Sequence, residues 1–382
     1  MERSKSRVLI AGVAGYNRGD DAILHALVGQ LRSRFELDGI TATVLKRGVA
    51  PDSVREVLID RKSPVSQVQL VRAVARSSLL MLGGGSILHE EVKTTWLRGI
   101  MAFFVEVVTL ARLFSVPVVT APIGIDELRT DQGKKMARFI LGQCRLIAVR
   151  DERSAAIARE LLGPGTEVIL GSDPAFCLNP RGDSTERTPP YLVLSPAFEA
   201  TSSAELPDLL ASIVERFLSL YAYGRCILIA IDERAEEDGG RVREIIERLP
   251  VDMRPRVELR VPATVNDVLS LLQGSIGLVT MRLHPMILGA GLTPVLCLSR
   301  GVKTDAIAAE LSVPVISVRS EAWSAVRARA KAFITEIAST ENRERFVRAS
   351  AAAAALQRAR VEDYFSALRP FLPAKTGAWK AA

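Results

Sequence analysis

Several things are scarce in this chain. It has three histidines and four cysteines in 382 residues, and 5% aromatics. With so few imidazoles each one has to be accounted for, because histidine alone has an unperturbed pKa near neutrality. Cys144, Cys177, Cys226 and Cys297 lie far apart and form no C-x-x-C pair. That excludes a redox dithiol, leaves no zinc-ligand spacing, and points to buried free thiols in a reducing compartment. There is no long basic tract and no basic–aromatic interleaving, so no nucleic acid is expected as a partner. The longest apolar run, "GIMAFFVEVVTLARLFSVPVV", is interrupted by Glu106 and Arg112 and reads as a helix followed by a strand rather than a membrane span. The start, "MERSKSRVLIAG", has charges but only a short apolar run, unlike a signal peptide. The cytoplasm is the expected location. A formal net charge of +7 is compatible with peripheral contact at the inner membrane face.

What is present is alternation. Strand-length apolar runs ("RVLIAGV", "ATVLKR", "SSLLMLGGG", "VPVVTAP", "CRLIAVRD", "TEVILGSDPAF") are separated by helical patterns, as with Ile23, Leu27 and Leu31. The polar, proline-rich "NPRGDSTERTPP" at 179–190 reads as a linker. Six more runs follow it, with "VNDVLSLLQ" and "DAIAAELS" as helices between them. Strands alternating with helices predict parallel sheets covered on both faces, hence an α/β protein of two Rossmann-like lobes facing a cleft. The expected division is 1–185 for the first lobe and 190–340 for the second. A helix over 341–372 is expected to pack back on the first lobe, with a frayed tail over 373–382.

Ligands of parallel sheets bind beyond the C-terminal strand ends. The first such end is "GVAGYNRGDDAIL", where Gly12, Gly15 and Gly19 allow sharp turns and a helix begins near Asp20. Asp20 or Asp21 serves either as its cap or as part of a site. Tyr16 and Asn17 are loop-tip residues, either solvated or touching a sugar. The spacing is not G-x-G-x-x-G, which disfavours a dinucleotide. Gly83, Gly84 and Gly85 end a strand before an expected helix and offer amides to an anion, but no P-loop Lys-Ser/Thr follows. His89 and His25 read as structural. Arg150, in "LIAVRDERS", has a fork suited to a carboxylate or phosphate, although on spacing alone an ion pair with Asp151 or Glu152 is the stronger reading. Asp173 before Pro174 either initiates a turn or orients a basic group in the cleft, and the turn is the favoured reading. In "GLVTMRLHPMILGAG", Arg282 and His284 alternate, so both face one side if the strand continues, and a helix starts near Pro285. Lys303 lies in the loop after the next strand. Asp232, Glu233 and Asp238 are either acceptor contacts or a solvated loop.

These stretches together resemble the polysaccharide pyruvyltransferase family: "GYNRGDDAIL", "LGGGSILHE", "VRDERS", "SDPAF", "RLHPMILGAG" and the lysine of "RGVKTDAI", in the family's order across most of the chain. The resemblance implies a GT-B-like fold, phosphoenolpyruvate as co-substrate, and a sugar diol of a glycan or lipid-linked oligosaccharide as acceptor. It implies Arg150, His284 and Lys303 at phosphoenolpyruvate with Arg282 in support, and Tyr16, Asn17 and Asp20 on the acceptor side. It calls for no metal and no other cofactor, and no oligomeric partner is read from it. The chain departs from the family pattern at "IGIDEL", at "LVLSPAFE" and in the loop before Lys303. Two rival readings are a GT-B nucleotide-sugar glycosyltransferase and a non-catalytic glycan-assembly partner with a decayed site. The first lacks paired glutamates near "RGVKTDAIAAEL", and intact Arg282 and His284 weigh against the second.

Overall fold

The apolar runs form two six-stranded sheets in which every pairing is parallel. The computed structural model describes residues 6–90, 94–180, 189–198, 203–232 and 236–375, with the side chains of 236–241 and of Lys303 outside the description. The linker read at 179–190 lies mostly outside the described residues.

The first half runs β1 (Arg7–Ala14), α1 (Arg18–Arg34), β2 (Gly39–Val44), β3 (Val54–Leu58), α2 (Pro64–Ala75), β4 (Leu79–Leu82), β5 (Ser86–Leu88), α3 (Ile100–Leu113), β6 (Val118–Thr120), β7 (Gly124–Ile125), α4 (Asp131–Gly142), β8 (Cys144–Leu146), β9 (Ala148–Val149), α5 (Glu152–Leu162) and β10 (Ile169–Leu170). The second runs β11 (Tyr191–Ser195), α6 (Leu206–Leu220), β12 (Arg225–Ile229), α7 (Glu236–Glu247), β13 (Val257–Arg260), α8 (Val265–Gln273), β14 (Gly277–Thr280), α9 (Leu283–Gly289), β15 (Val295–Ser299), α10 (Val302–Glu310), β16 (Val315–Ser317), α11 (Trp323–Glu336) and α12 (Thr340–Ala367). The sheet orders are β3-β2-β1-β4-β6-β8 and β13-β12-β11-β14-β15-β16, with short pairs β5–β7 and β9–β10 beside the first. Both sheets have the doubly wound pattern, in which the founding strand has its successors on both sides.

The chain divides into two compact units. Unit 1 is Met1–Tyr16, Asp20–Leu178 and Gln357–Ala382; unit 2 is Asn17–Gly19 and Asn179–Leu356. Each has its own core. Leu9, Leu80, Leu82, Phe104 and Val107 are fully buried in the first, and Leu192, Leu194, Phe217, Leu228 and Leu298 in the second. Removing that apolar area from water, at about 25 cal/mol per Å², is what stabilises each sheet against its helices.

The structure corrects several local expectations. Helix α1 starts at Arg18, with Asp20 and Asp21 in its first turn, but neither aspartate is its cap; Asn17 is, its Oδ1 accepting the amide of Gly19 at 2.8 Å. Strand β5, not a helix, follows Gly83–Gly85. Strand β14 ends at Thr280 and α9 begins at Leu283, so Arg282 and His284 do not share a strand face. Lys303 lies in the first turn of α10, not in a loop. The tail does not fray from Pro373: the amide of Glu36 donates to the carbonyl of Pro373 at 2.9 Å, and that of Lys375 to Arg34 at 2.8 Å. Residues 376–382 lie outside the described residues. The four cysteines are free, but only Cys226 and Cys297 are fully buried, with Cys144 and Cys177 half-buried. Burial pushes the thiols of Cys144, Cys177 and Cys297 up to about 12, so they stay protonated at neutral pH.

Candidate functional site

The strand order reverses between β1 and β4 in unit 1, and between β11 and β14 in unit 2. Ligand crevices of such sheets open at the carboxyl ends of those strands. In unit 1 the two ends are brought close by glycine. A β-carbon on Gly12 would lie 2.6 Å from the carbonyl oxygen of Gly83, so no side chain fits there. Gly84 and Gly85 take positive φ (108° and 64°), and a β-carbon on Gly85 would lie 2.8 Å from Oδ1 of Asp20. Asp21 is tied down differently, accepting the amide of Gly15 at 2.8 Å. The element that follows the triple glycine in the chain is β5, while the first turn of α1 lies against it at Asp20. Two polar backbone groups of the triple glycine are already engaged: the Gly83 amide with Ala11 at 2.9 Å and the Gly85 carbonyl with Gly124 at 3.0 Å. His89 and His25 sit against the carbonyls of Ser86 and Val49, at 2.7 and 2.8 Å, in keeping with structural roles.

Arg150, at the end of β9, is 5% exposed. Its Nη1 donates to Asp173 Oδ2 at 3.2 Å, its Nη2 to Ser86 Oγ at 2.9 Å, and its Nε lies 3.6 Å from Asp151 Oδ2. A β-carbon on Gly124 would fall 2.9 Å from the guanidinium, so this glycine makes the room. The ion pair expected with a neighbour exists, but the principal partner is Asp173. The turn reading of Asp173 is therefore incomplete: Oδ1 caps the turn at Ala175 (3.0 Å), while Oδ2 holds Arg150. Asp151 likewise caps α5 through Ser154 at 2.7 Å. Two carboxylates already balance this guanidinium. Its direct outcome is to hold Ser86 at the end of the glycine loop. Breaking a buried pair leaves an uncompensated charge, so Asp173→Ala is expected to cost about 3 kcal/mol. Thermal unfolding checks this, and the Asp173→Ala/Arg150→Met double variant should recover much of the loss. A single variant as stable as wild type would refute the pairing's importance.

In unit 2, β14 delivers Arg282 to the cap of α9 and His284 to its first turn. The amide of Arg282 donates to Thr280 Oγ1 at 3.0 Å, and its Nε to the carbonyl of Pro196, just beyond β11, at 3.1 Å. Arg282 thus spans the switch point. His284 is half-buried, and its ring lies on the α-carbon of Gly19: a β-carbon there would overlap Nδ1 and come within 2.5 Å of Cγ and 2.7 Å of Cε1. The segment bearing Gly19 is fixed within unit 2. The Arg18 amide donates to Ile231 at 2.9 Å and its Nε to the carbonyl of Pro262 at 2.8 Å, while Asn17 bridges Asp232. Tyr16 and Asn17 are half-buried, not solvated tips. Glu233 and the Asp238 side chain lie outside the described residues. Ser299, ending the next strand, exchanges a 2.8 Å hydrogen bond with Thr304 in the first turn of α10, the turn that carries Lys303.

The two most specific stretches of the sequence, "GYNRGDDAIL" and "RLH", therefore meet at one imidazole. A family profile described as polysaccharide pyruvyl transferase matches residues 17–300. The chain belongs to the polysaccharide pyruvyl transferase family. No curated protein matches this transferase's sequence. Its structure is similar to UDP-GlcNAc 2-epimerase from Neisseria meningitidis bound to UDP-GlcNAc (11% identity, 95% of this chain and 100% of the other, TM-score 0.60). It is also similar to another UDP-N-acetylglucosamine 2-epimerase (14%, 98% and 100%, 0.62) and to a trehalose 6-phosphate synthase from Burkholderia multivorans (8%, 96% and 99%, 0.56). These establish the fold of the transferase as GT-B-type, two parallel-sheet α/β units. Sequence reasoning missed Arg18, Ser86 and Gly124, and it placed the pairing of Asp173 with a basic group behind the turn. Gly19 carried a usable signal: a glycine in a first helical turn forfeits helix propensity, which marks a close approach.

Proposed function

We propose that this transferase moves the pyruvyl group of phosphoenolpyruvate to a sugar diol of a polysaccharide or lipid-linked glycan precursor, forming a cyclic ketal and releasing phosphate. The observation that carries this reading is the half-buried imidazole of His284, seated on Gly19 and preceded by Arg282 at the switch point of unit 2.

The donor carries a carboxylate and a phosphate, which fixed cations recognise through charge-assisted hydrogen bonds. Arg282 and Lys303, at the ends of adjacent strands β14 and β15, supply that charge, and the family resemblance implies Arg150 as a third cation. The methylene carbon gains a proton to become the methyl group. The neighbouring carbon takes up positive character and a sugar hydroxyl attacks it. Phosphate then leaves with the electron pair of its C–O bond, the second hydroxyl closes the ring, and its proton is lost. One hydroxyl proton thus replaces the one taken up by carbon, and the other leaves with phosphate. His284 moves the proton, and the cations stabilise charge on the departing group. Tyr16, Asn17 and Asp20 serve the acceptor. Asn17 has its oxygen committed to the Gly19 amide, so it offers its amide nitrogen.

The test is phosphate release from phosphoenolpyruvate across a panel of lipid-linked and synthetic glycans, with the ketal detected by mass. Release that needs a glycan diol supports the proposal. Turnover of nucleotide sugars with no phosphoenolpyruvate-dependent product overturns it.

A further inference from the structure

Parallel strands have a second rim, at their amino ends, and in unit 1 that rim carries a concentration of unpaired positive charge. Arg7, Arg55, Arg72 and Arg76 line a depression of about 390 Å³ at the starts of β1 and β2, where Asp38 is the one lining carboxylate. Arg112 and Arg145 line another of about 240 Å³ at the start of β6, with no carboxylate. Among the described residues none of these six guanidiniums has an ion-pair or hydrogen-bond partner. Elsewhere on the surface arginines do find carboxylates, as in Arg61–Glu106, Arg248–Asp208 and Arg345–Glu336. Helix dipoles account for part of the pattern, since Arg72 and Arg112 sit in the last turns of α2 and α3. They do not account for Arg7, Arg55 and Arg145, which stand on strands.

A second observation lies on the same rim. Helix α3 ends in Leu113, 73% exposed, and Phe114, 40% exposed, directly after Arg112. Ser115 then takes a left-handed φ of 55° and the Val116 amide returns to the carbonyl of Ala111 at 2.8 Å, leaving the two apolar side chains at the turn. From β3, which carries Arg55, to β8, which carries Arg145, the rim crosses six adjacent strands, about 24 Å at the usual spacing.

We infer that this amino-end rim of unit 1 is a docking surface for an anionic lipid bilayer, with arginines on the headgroups and Leu113–Phe114 entering below them. A soluble anion would occupy one depression and leave the exposed apolar pair without a role. A bilayer uses both depressions and the pair, and combines the two kinds of signal that surface anchoring requires. Among the described residues no helix is long and apolar enough to cross a membrane, so attachment here is peripheral. The docking face does not depend on which reaction the opposite strand ends perform.

The experiment is co-sedimentation of the full chain with vesicles of phosphatidylcholine alone and of phosphatidylcholine mixed with phosphatidylglycerol. Wild type should pellet only with the mixed vesicles, and salt of about 0.5 M should release it, because screening shortens the Debye length. Each arginine near the surface contributes roughly fivefold to partitioning. R72Q/R76Q/R112Q/R145Q should therefore bind on the order of a hundredfold or more weaker, and R55Q/R145Q, which leaves every helix end intact, roughly 25-fold weaker. Leu113→Ser/Phe114→Ser should weaken binding to mixed vesicles without altering its salt dependence. Wild type that ignores phosphatidylglycerol, or an R55Q/R145Q variant that pellets like wild type, overturns the inference. So does an R72Q/R76Q/R112Q/R145Q variant that loses thermal stability but keeps vesicle binding, since that is the helix-dipole role alone.

Discussion

His284→Ala is expected to lower phosphoenolpyruvate-dependent phosphate release by about 10²–10⁴, the range for loss of a positioned acid–base group. The fold should survive. His284 is half-buried and stands in the first turn of a seven-residue helix whose Pro285–Gly289 segment is what packs into the core. Circular dichroism and thermal unfolding within a few degrees of wild type would verify this. The loss should fall on kcat more than on KM, because an imidazole that moves a proton acts in the transition state, whereas a binding contact acts on both states. Wild-type turnover in the variant would remove the proton-transfer assignment while leaving the cations of the donor site untouched.

Gly19→Ala is the second large effect, and its direction in stability is opposite to its direction in activity. Gly19 lies in helix α1 without a positive φ, where alanine is the better helix former by about 1 kcal/mol. Its new β-carbon, however, would sit 2.5 Å from Cγ of His284, so the ring must move. A displacement of this size in a reacting group costs about 10² in rate. The expected result is a stable protein with about one-hundredth of the activity. In the Gly19→Ala/His284→Ala double variant the clash disappears with the ring, so the alanine at 19 should cost nothing further. An active Gly19→Ala enzyme, or full additivity in the double variant, would show that the room this glycine leaves for the His284 ring does not matter to turnover.

What could be read from the sequence divides along physical lines. Strands such as Tyr191–Ser195 and Val295–Ser299 are buried on both faces and spell uninterrupted apolar runs, and the helix at Val265–Gln273 announces itself through the Thr264–Asp267 capping box. Strand β3 and helix α2 are not legible, because β3 buries only Val54 and Val57 on either side of Arg55 and Glu56, and α2 buries only Ser66, Leu70 and Val74. At the site, the chemical identities of Arg282 and His284 were legible, while their partners were not. Nothing in local spacing ties Arg150 to Asp173, 23 residues on, or Arg18 to Pro262, 244 residues on. The same limit explains why local sequence favours the turn at Asp173 over a basic partner: one of its oxygens does make the turn, and the other serves a distant guanidinium.

The division of unit 1 into separated pieces of chain bears on how the protein can be cut for expression. Its last piece brings Tyr364, Phe365 and Leu368, all fully buried, along with Arg34–Glu362 and the pairing of Ser172 with Gln357 at 2.8 Å. A recombinant fragment stopping at Leu178 would expose the wall those side chains cover, at about 1.5–3 kcal/mol for each one. A soluble half-molecule therefore needs residues 357–375 grafted through a short linker to its end, and a proteolytic nick near 356 should release two chains that stay associated rather than an independent amino-terminal product.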